Sequence, residues 1–206
     1  NKDLDQNIYT DFNEAISKDG YKLFLKKLYE YGFTVIQNCK TEMSSVEKIA
    51  KKIGYVRESI FGGLWSFESN EDKADSAYTQ EELRPHTDST YSNDAPGLQL
   101  LLCCHYKASG GDSIMVDGFK IAEKIKNEKK EIYDLLTQIE VTGQYIGDGV
   151  FLKAKRPIFR VNSDSELIQV SFNNYDRAPF KFSEDKTKKF YEAIKAVSYT
   201  HLTLPT

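Results

Sequence analysis

From Tyr55 onward the chain is a succession of β-branched and aromatic runs broken by turn residues, and that pattern restricts it to strand-built architectures. The clearest strands are expected at 97–106, 112–116, 158–161 and 167–173, with one helical insertion at about 118–137. Helices come first. Residues 21–31 carry Leu23, Phe24, Leu28 and Tyr31 at helical spacing and stop at Gly32, a usual helix terminator. A short strand is expected at 33–37. Ser44 and Glu47 then form a capping box for a second helix, with Val46, Ile49, Ala50 and Ile53 on one face and Gly54 at its end. A last amphipathic piece, 186–197, places Phe190, Ile194 and Val197 together.

No repeat, low-complexity tract or Pro/Gly/Ser linker divides the 206 residues, and the five prolines are scattered, so one domain is expected over 1–197. With 40% apolar and 29% charged residues the chain can build a full core. A net charge of −3 supplies no basic stripe for nucleic acid, because Lys-rich stretches such as 124–130 are interleaved with Glu123, Glu128 and Glu131. No apolar run approaches ~20 residues, so no membrane span is expected. The three cysteines, Cys39, Cys103 and Cys104, form no disulfide framework and suit a reducing, intracellular compartment.

Within the strand-rich part lies Arg84-Pro-His-Thr-Asp-Ser-Thr-Tyr91. In an extended segment His86 and Asp88, two residues apart, point to the same side, so an imidazole nitrogen and a carboxylate oxygen can reach one metal ion. Such a pair is two corners of the 2-His-1-carboxylate triad of non-haem iron(II) sites. By itself H-x-D is a weak signal, more often an ordinary surface pair than a metal site. Strand-rich sequence enclosing a ligand pair suggests a mainly β fold with flanking helices, a jelly-roll or cupin-like barrel.

The ordered series Trp65, Asp75-Ser-Ala-Tyr-Thr79, Leu83-Arg-Pro-His-Thr-Asp88, Thr90-Tyr91, Pro96-Gly-Leu-Gln99, Gly110-Gly-Asp112, Asp117-Gly-Phe119 and Phe172-Asn-Asn-Tyr-Asp-Arg177 resembles the trimethyllysine dioxygenases and the related γ-butyrobetaine dioxygenases. These are iron(II)- and 2-oxoglutarate-dependent oxygenases of the taurine dioxygenase type, and the resemblance covers about 20–197. It implies a double-stranded β-helix and C–H hydroxylation coupled to decarboxylation of 2-oxoglutarate. It further implies iron(II), 2-oxoglutarate as co-substrate, ascorbate as reductant, and dioxygen. A homodimer and a cytoplasmic or mitochondrial-matrix location are compatible with it.

The resemblance assigns His86 and Asp88 to the first two iron ligands. Ser113, after the Gly110-Gly111 turn, falls where a hydroxyl donates to the co-substrate carboxylate, and Leu101 where the co-substrate packs. Ser113 is otherwise just a hairpin residue. Phe61, Trp65 and Tyr78 match positions of an aromatic cage. A trimethylated ammonium cannot donate a hydrogen bond, so aromatic faces and nearby negative charge must hold it. All three are equally core aromatics in a chain with 13% aromatic residues. Asp75 would attract the α-ammonium of trimethyllysine and repel the carboxylate that γ-butyrobetaine carries there, where the resemblance puts Asn in the butyrobetaine enzymes. Asn173 matches a pocket amide for the substrate's polar end, and as a strand-end Asn it could also cap the ladder. Asn174-Tyr-Asp-Arg177 receives no role.

Cys103-Cys104-His105 is read as buried strand residues rather than a metal cluster, since alternation sends Cys104 to the opposite face and no second thiolate pair completes a zinc site. His201 lies too early for the third iron ligand. After Val197 the likeness stops, and 198–206 is expected to be a non-native tail standing where the distal His, the 2-oxoglutarate-binding Arg, a further cage aromatic and the closing strands would lie. The chain as written is therefore expected not to turn over. The substrate expected for the intact protein is Nε-trimethyllysine, hydroxylated at C3 toward carnitine. The alternatives are γ-butyrobetaine hydroxylation and a non-catalytic cupin-like module binding quaternary ammonium compounds.

Overall fold

A computed structural model describes residues 7–68, 82–107, 109–147 and 149–202. The chain falls into two compact units, Asn1–Phe67 with Leu98–Gly110, and Glu68–Gly97 with Gly111–Pro205.

In the first unit β1 (Tyr9–Asp11) pairs in parallel with β2 (Val35–Gln37), Thr10 lying opposite Ile36. Parallel neighbours need a crossover, here α1 (Phe12–Ile16) and α2 (Gly20–Tyr31). Asp11 starts α1: its carboxylate accepts from the Asn13 N–H at 2.8 Å and from the Asn38 side-chain amide at 2.8 Å. These bonds, the Asn38 one foremost, hold the Asp11 carboxyl below its usual range. α2 ends at Gly32 with φ of 74°, the left-handed terminator expected from its sequence. α3 (Met43–Ile53) brings Ile49 onto Phe12, Ala15 and Phe24 to form a small core. The Ser44 capping box does not form. The helix begins two residues earlier, with Glu42 as its N-cap, which puts Ser44 inside the first turn, where its hydroxyl donates to Glu42 Oε1 at 2.8 Å.

The second unit holds the larger core. The insertion expected as one helix over 118–137 is two, α4 (Gly118–Glu128) and α5 (Lys130–Gln138), because Lys129 leaves the helical region at φ −145°, ψ 61°. The break turns both apolar faces onto one cluster: Ile121, Ala122 and Ile125 from α4, Tyr133 and Leu136 from α5. Asp117 caps α4 by accepting from the Lys120 N–H at 3.0 Å. α6 (Glu184–Leu202) closes the cluster with Phe190, Ala193, Ile194 and Val197. Phe190 and Phe159 are fully buried, each contributing ~1.5–3 kcal/mol through removal from water.

Against these helices lie two antiparallel pairs. β3 (Glu140–Gly147) and β4 (Val150–Pro157) form a hairpin with Gly143 opposite Ala154, and Gly149 supplies a left-handed residue at its tip, φ 76°. β5 (Phe159–Val161) and β6 (Leu167–Val170) pair with a register shift between Arg160 and Val161. Among the described residues each sheet has two strands. The β3–β4 hairpin was missed as a strand pair, although its Asp148-Gly149 dipeptide is a strong hairpin signal.

Two expected strands differ. Residues 97–106 and 112–116 join no ladder, and Leu98, Leu101, Tyr106, Ile114 and Met115 are exposed. Alternation of apolar residues specifies which faces a strand would bury, but a strand exists only when a neighbour takes its N–H and C=O groups. Cys103, Cys104 and His105 share this segment and are exposed, which corrects their reading as buried strand residues.

Candidate metal centre

The segment carrying His86 and Asp88 lies in the second unit and is held through the residue between them. The Thr87 N–H donates to the Phe172 carbonyl at 2.8 Å, and the Phe172 N–H donates back to Thr87 Oγ1 at 2.9 Å. Thr87 therefore pairs with the chain leaving β6 while its neighbours project to the other side, as alternation requires. Directly after Asp88 the backbone turns at Ser89, which adopts φ of 55°.

His86 Nε2 and Asp88 Oδ1 stand 3.2 Å apart. Adjacent ligands on an octahedral metal with bonds of ~2.1 Å are separated by ~3.0 Å, so the pair already spans one edge of such a polyhedron. The other ring nitrogen fixes the tautomer. His86 Nδ1 lies 2.7 Å from the Arg84 carbonyl, and a carbonyl only accepts, so Nδ1 carries the proton and Nε2 presents its lone pair toward Asp88. Two acceptors facing each other at this distance need a cation between them. A proton serves: the imidazole's affinity for it is raised first by the hydrogen bond to Asp88, then by the Arg84 carbonyl and the charges of Asp88 and Asp176, with burial opposing. A metal ion serves equally, and the backbone bond to Nδ1 is the outer-shell contact that metal-binding imidazoles usually have.

Tyr175 completes the support. Its hydroxyl accepts from the Arg84 N–H at 3.0 Å, and its ring meets the His86 ring edge-on at 5.8 Å between centroids. One side chain thus fixes both the imidazole and the backbone whose carbonyl orients it. Thr87 and Tyr175 had no assigned role in the sequence reading; the order Asn174-Tyr-Asp-Arg177 was the available signal for the second. Among the described residues no third His, Cys, Asp or Glu joins the pair to make a metal-holding group.

The remaining expected site residues fall as follows. Phe61 and Trp65, in the first unit, lie against each other with ring centroids 5.0 Å apart, and Trp65 continues onto Phe67 at 5.0 Å, so two of the three cage candidates share one aromatic row. Asp75 and Tyr78 lie outside the described residues. Leu101 is 70% exposed. Ser113 is also exposed and follows Gly110 and Gly111, both left-handed at φ 85° and 80°. Asn173 spends its side chain locally. Its amide donates to Asp176 Oδ2 at 2.8 Å, and its oxygen accepts from the N–H groups of Tyr175, at 2.8 Å, and Asp176, at 3.4 Å. It shapes the turn that delivers Tyr175 to His86.

No described helix is long and apolar enough to cross a membrane. Residues 3–201 match the family described as taurine catabolism dioxygenase TauD, TfdA. A trimethyllysine dioxygenase of Meyerozyma guilliermondii is 37% identical over 191 residues, 90% of this chain and 47% of that protein. The mitochondrial trimethyllysine dioxygenase of Rattus norvegicus is 31% identical over 195 residues, 92% of this chain and 46% of the relative. A γ-butyrobetaine dioxygenase of Pseudomonas sp. strain AK-1 is 32% identical over 172 residues, covering 84% and 45%. The chain spans about half the length of the curated relatives it matches. With its match running over nearly the whole sequence, the chain belongs to the TauD, TfdA dioxygenase family.

Proposed function

We propose that the protein is an iron(II)- and 2-oxoglutarate-dependent oxygenase that hydroxylates Nε-trimethyllysine at C3. The carrying observation is the pair of ligand atoms, His86 Nε2 and Asp88 Oδ1, 3.2 Å apart with the tautomer set for metal binding. Iron(II) held there supplies dioxygen activation coupled to 2-oxoglutarate decarboxylation. The chain's own residues then orient: Arg84 and Tyr175 fix the imidazole, and Thr87 fixes the backbone between the ligands. Ser113 and Leu101 are proposed to contact 2-oxoglutarate, and Phe61, Trp65 and Tyr78 to hold the trimethylammonium. Asp75 is proposed to bind the α-ammonium, and the Asn173 amide to bind the substrate's polar end. In the intact protein the strand-forming segments 97–106 and 112–116 are proposed to join a double-stranded β-helix.

Trimethyllysine is favoured because the fungal and mammalian trimethyllysine dioxygenases match at 31–37% identity over about nine-tenths of the chain, and because Asp75 carries a charge suited to an α-ammonium. Butyrobetaine is the second reading, favoured by the 32% identity to the Pseudomonas enzyme. The mitochondrial relatives support a mitochondrial location over a cytoplasmic one.

The test is anaerobic iron(II) titration of the full-length protein beside its His86→Ala and Asp88→Ala variants, followed by succinate formation with each substrate. Lost stoichiometric binding in both variants is expected, together with faster turnover of trimethyllysine. Unchanged binding in both variants would falsify the metal assignment, and faster turnover of butyrobetaine would reverse the substrate.

A further inference from the structure

Thr87 anchors the ligand segment from one side; the hairpin β3–β4 meets it from the other, at Gly143. A Cβ placed on Gly143 would stand 2.4 Å from both the carbonyl carbon and the oxygen of Thr90 and 2.7 Å from the Tyr91 nitrogen. All three are backbone atoms, which cannot swing aside as the end of a side chain can. The approach is therefore open to glycine alone. Gly143 cannot retreat either. It lies opposite Ala154 in the hairpin and bridges to Arg177 on its other edge, where the Gln144 N–H donates to the Asp176 carbonyl at 2.7 Å and the Ala178 N–H to the Thr142 carbonyl at 2.9 Å.

Two more contacts fasten the same stretch. The Arg156 guanidinium on β4 donates to the Ser92 carbonyl. The Tyr91 and Tyr145 rings, both buried, pack at 5.3 Å between centroids. Thr90, two residues beyond Asp88, is buried to 8% exposure between these supports.

We propose that Gly143, together with Arg156, is a positioning residue that sets where the His86–Asp88 segment stands, a role that rests on the metal reading above. The lever is short. An added methyl would push Thr90 back by about 0.6 Å to reach even the closest tolerable contact of 3.0 Å. Two residues earlier, a metal ligand tolerates only ~0.2 Å of displacement. The hairpin would therefore act through the segment on where His86 Nε2 and Asp88 Oδ1 stand, the two atoms that would hold the iron.

The experiment uses the full-length protein and three variants: Gly143→Ala, Gly149→Ala and Arg156→Lys. Gly149 sits at the tip of the same hairpin with left-handed φ, and a Cβ there meets nothing within 4 Å, so its substitution strains the hairpin without pressing on Thr90. Iron(II) affinity by anaerobic titration, hydrogen exchange at the Thr87 amide, and the Tm of the metal-free protein are read in each. Gly143→Ala should weaken iron binding by about tenfold or more and speed exchange at Thr87, in the range of outer-shell changes around metal ligands. Gly149→Ala should lower Tm while binding iron as the wild type does. Arg156→Lys keeps the charge and loses the planar fork; it should weaken binding several-fold, and it decides the matter if Gly143→Ala does not fold.

Wild-type iron affinity in a folded Gly143→Ala protein, or in Arg156→Lys where Gly143→Ala is unfolded, overturns the proposal. So does a Gly149→Ala protein weakened as much as Gly143→Ala, since the effect would then be general hairpin stability. His86→Ala separates the two levels. If it binds iron normally, the metal reading itself falls; if it loses iron while Gly143→Ala does not, only the positioning role falls.

Discussion

Thr87 and Phe172 are bonded in both directions, the Thr87 N–H donating to the Phe172 carbonyl at 2.8 Å and the Phe172 N–H to Thr87 Oγ1 at 2.9 Å. The threonine between His86 and Asp88 thus does with its side chain what a strand partner does with its backbone. Thr87→Val keeps the branched shape and leaves the Phe172 N–H without its acceptor, at a cost of ~1–3 kcal/mol. Thr87→Ser retains the acceptor. Urea denaturation of the full-length protein should show a lower midpoint for Thr87→Val with an unchanged slope, and near-wild-type behaviour for Thr87→Ser; iron affinity should follow the same order. Equal stability of the valine variant would mean that Thr87 does not hold the segment.

Asn173 offers a sharper contrast, because both its amide and its carbonyl are bonded within the turn over 173–176. Asn173→Ala takes one acceptor from the Tyr175 N–H and one donor from the Asp176 carboxylate, and loosens the ring that rests against His86. The expected result is a stability loss of ~1–2 kcal/mol together with weaker iron binding. A residue that only contacted substrate would raise KM and leave both unchanged. Measuring unfolding, iron affinity and KM on one variant therefore distinguishes turn-builder from substrate contact.

Much of the fold was legible where a single segment contains its own reason. Helix α2 ends at Gly32 because left-handed φ is needed there, and periodicity alone located Phe190 and Ile194 on the buried face of α6. The pair His86 and Asp88 was legible for the same reason, since period-two geometry is local. What was not legible is relational. Nothing in the sequence around His86 announces that Tyr175, 91 residues away in the pair it forms with Arg84, supports it. Nor does the composition of 97–106 show whether a neighbouring strand is at hand, which is why a correct alternation yields an unpaired, exposed segment. The break at Lys129 has no Gly or Pro to mark it; it is imposed by the need of Ile125 and Leu136 to reach one core.

Asp11 gives a pH-dependent prediction with a defined sign. Its folded-state pKa lies below the unfolded value, chiefly through the Asn38 amide, so its stabilisation is complete above the usual carboxylate pKa of ~3.9 and is lost as pH falls through the lowered folded value. Asn38→Ala should raise that pKa toward normal and shift the loss to higher pH. The carboxyl resonance of Asp11, followed by NMR titration, reads this directly; an unmoved midpoint would show that the Asn38 bond is not made in solution.

The role proposed for Asp75 is to select the substrate, and its test depends on the two ends of trimethyllysine being chemically unlike. Trp65, 37% exposed and in tilted contact with both Phe61 and Phe67, is expected to meet the trimethylammonium that both candidate substrates share. Trp65→Ala should therefore weaken both by a similar factor, at ~0.5–2 kcal/mol of lost cation–π attraction. Asp75→Asn acts at the other end. It removes a charge-assisted hydrogen bond to the α-ammonium, ~1.5–3 kcal/mol, and at the same time relieves repulsion of the butyrobetaine carboxylate. Relative kcat/KM in the full-length protein should shift toward butyrobetaine by about tenfold or more. An unchanged ratio would make Asp75 a structural residue and leave trimethyllysine favoured by sequence likeness alone.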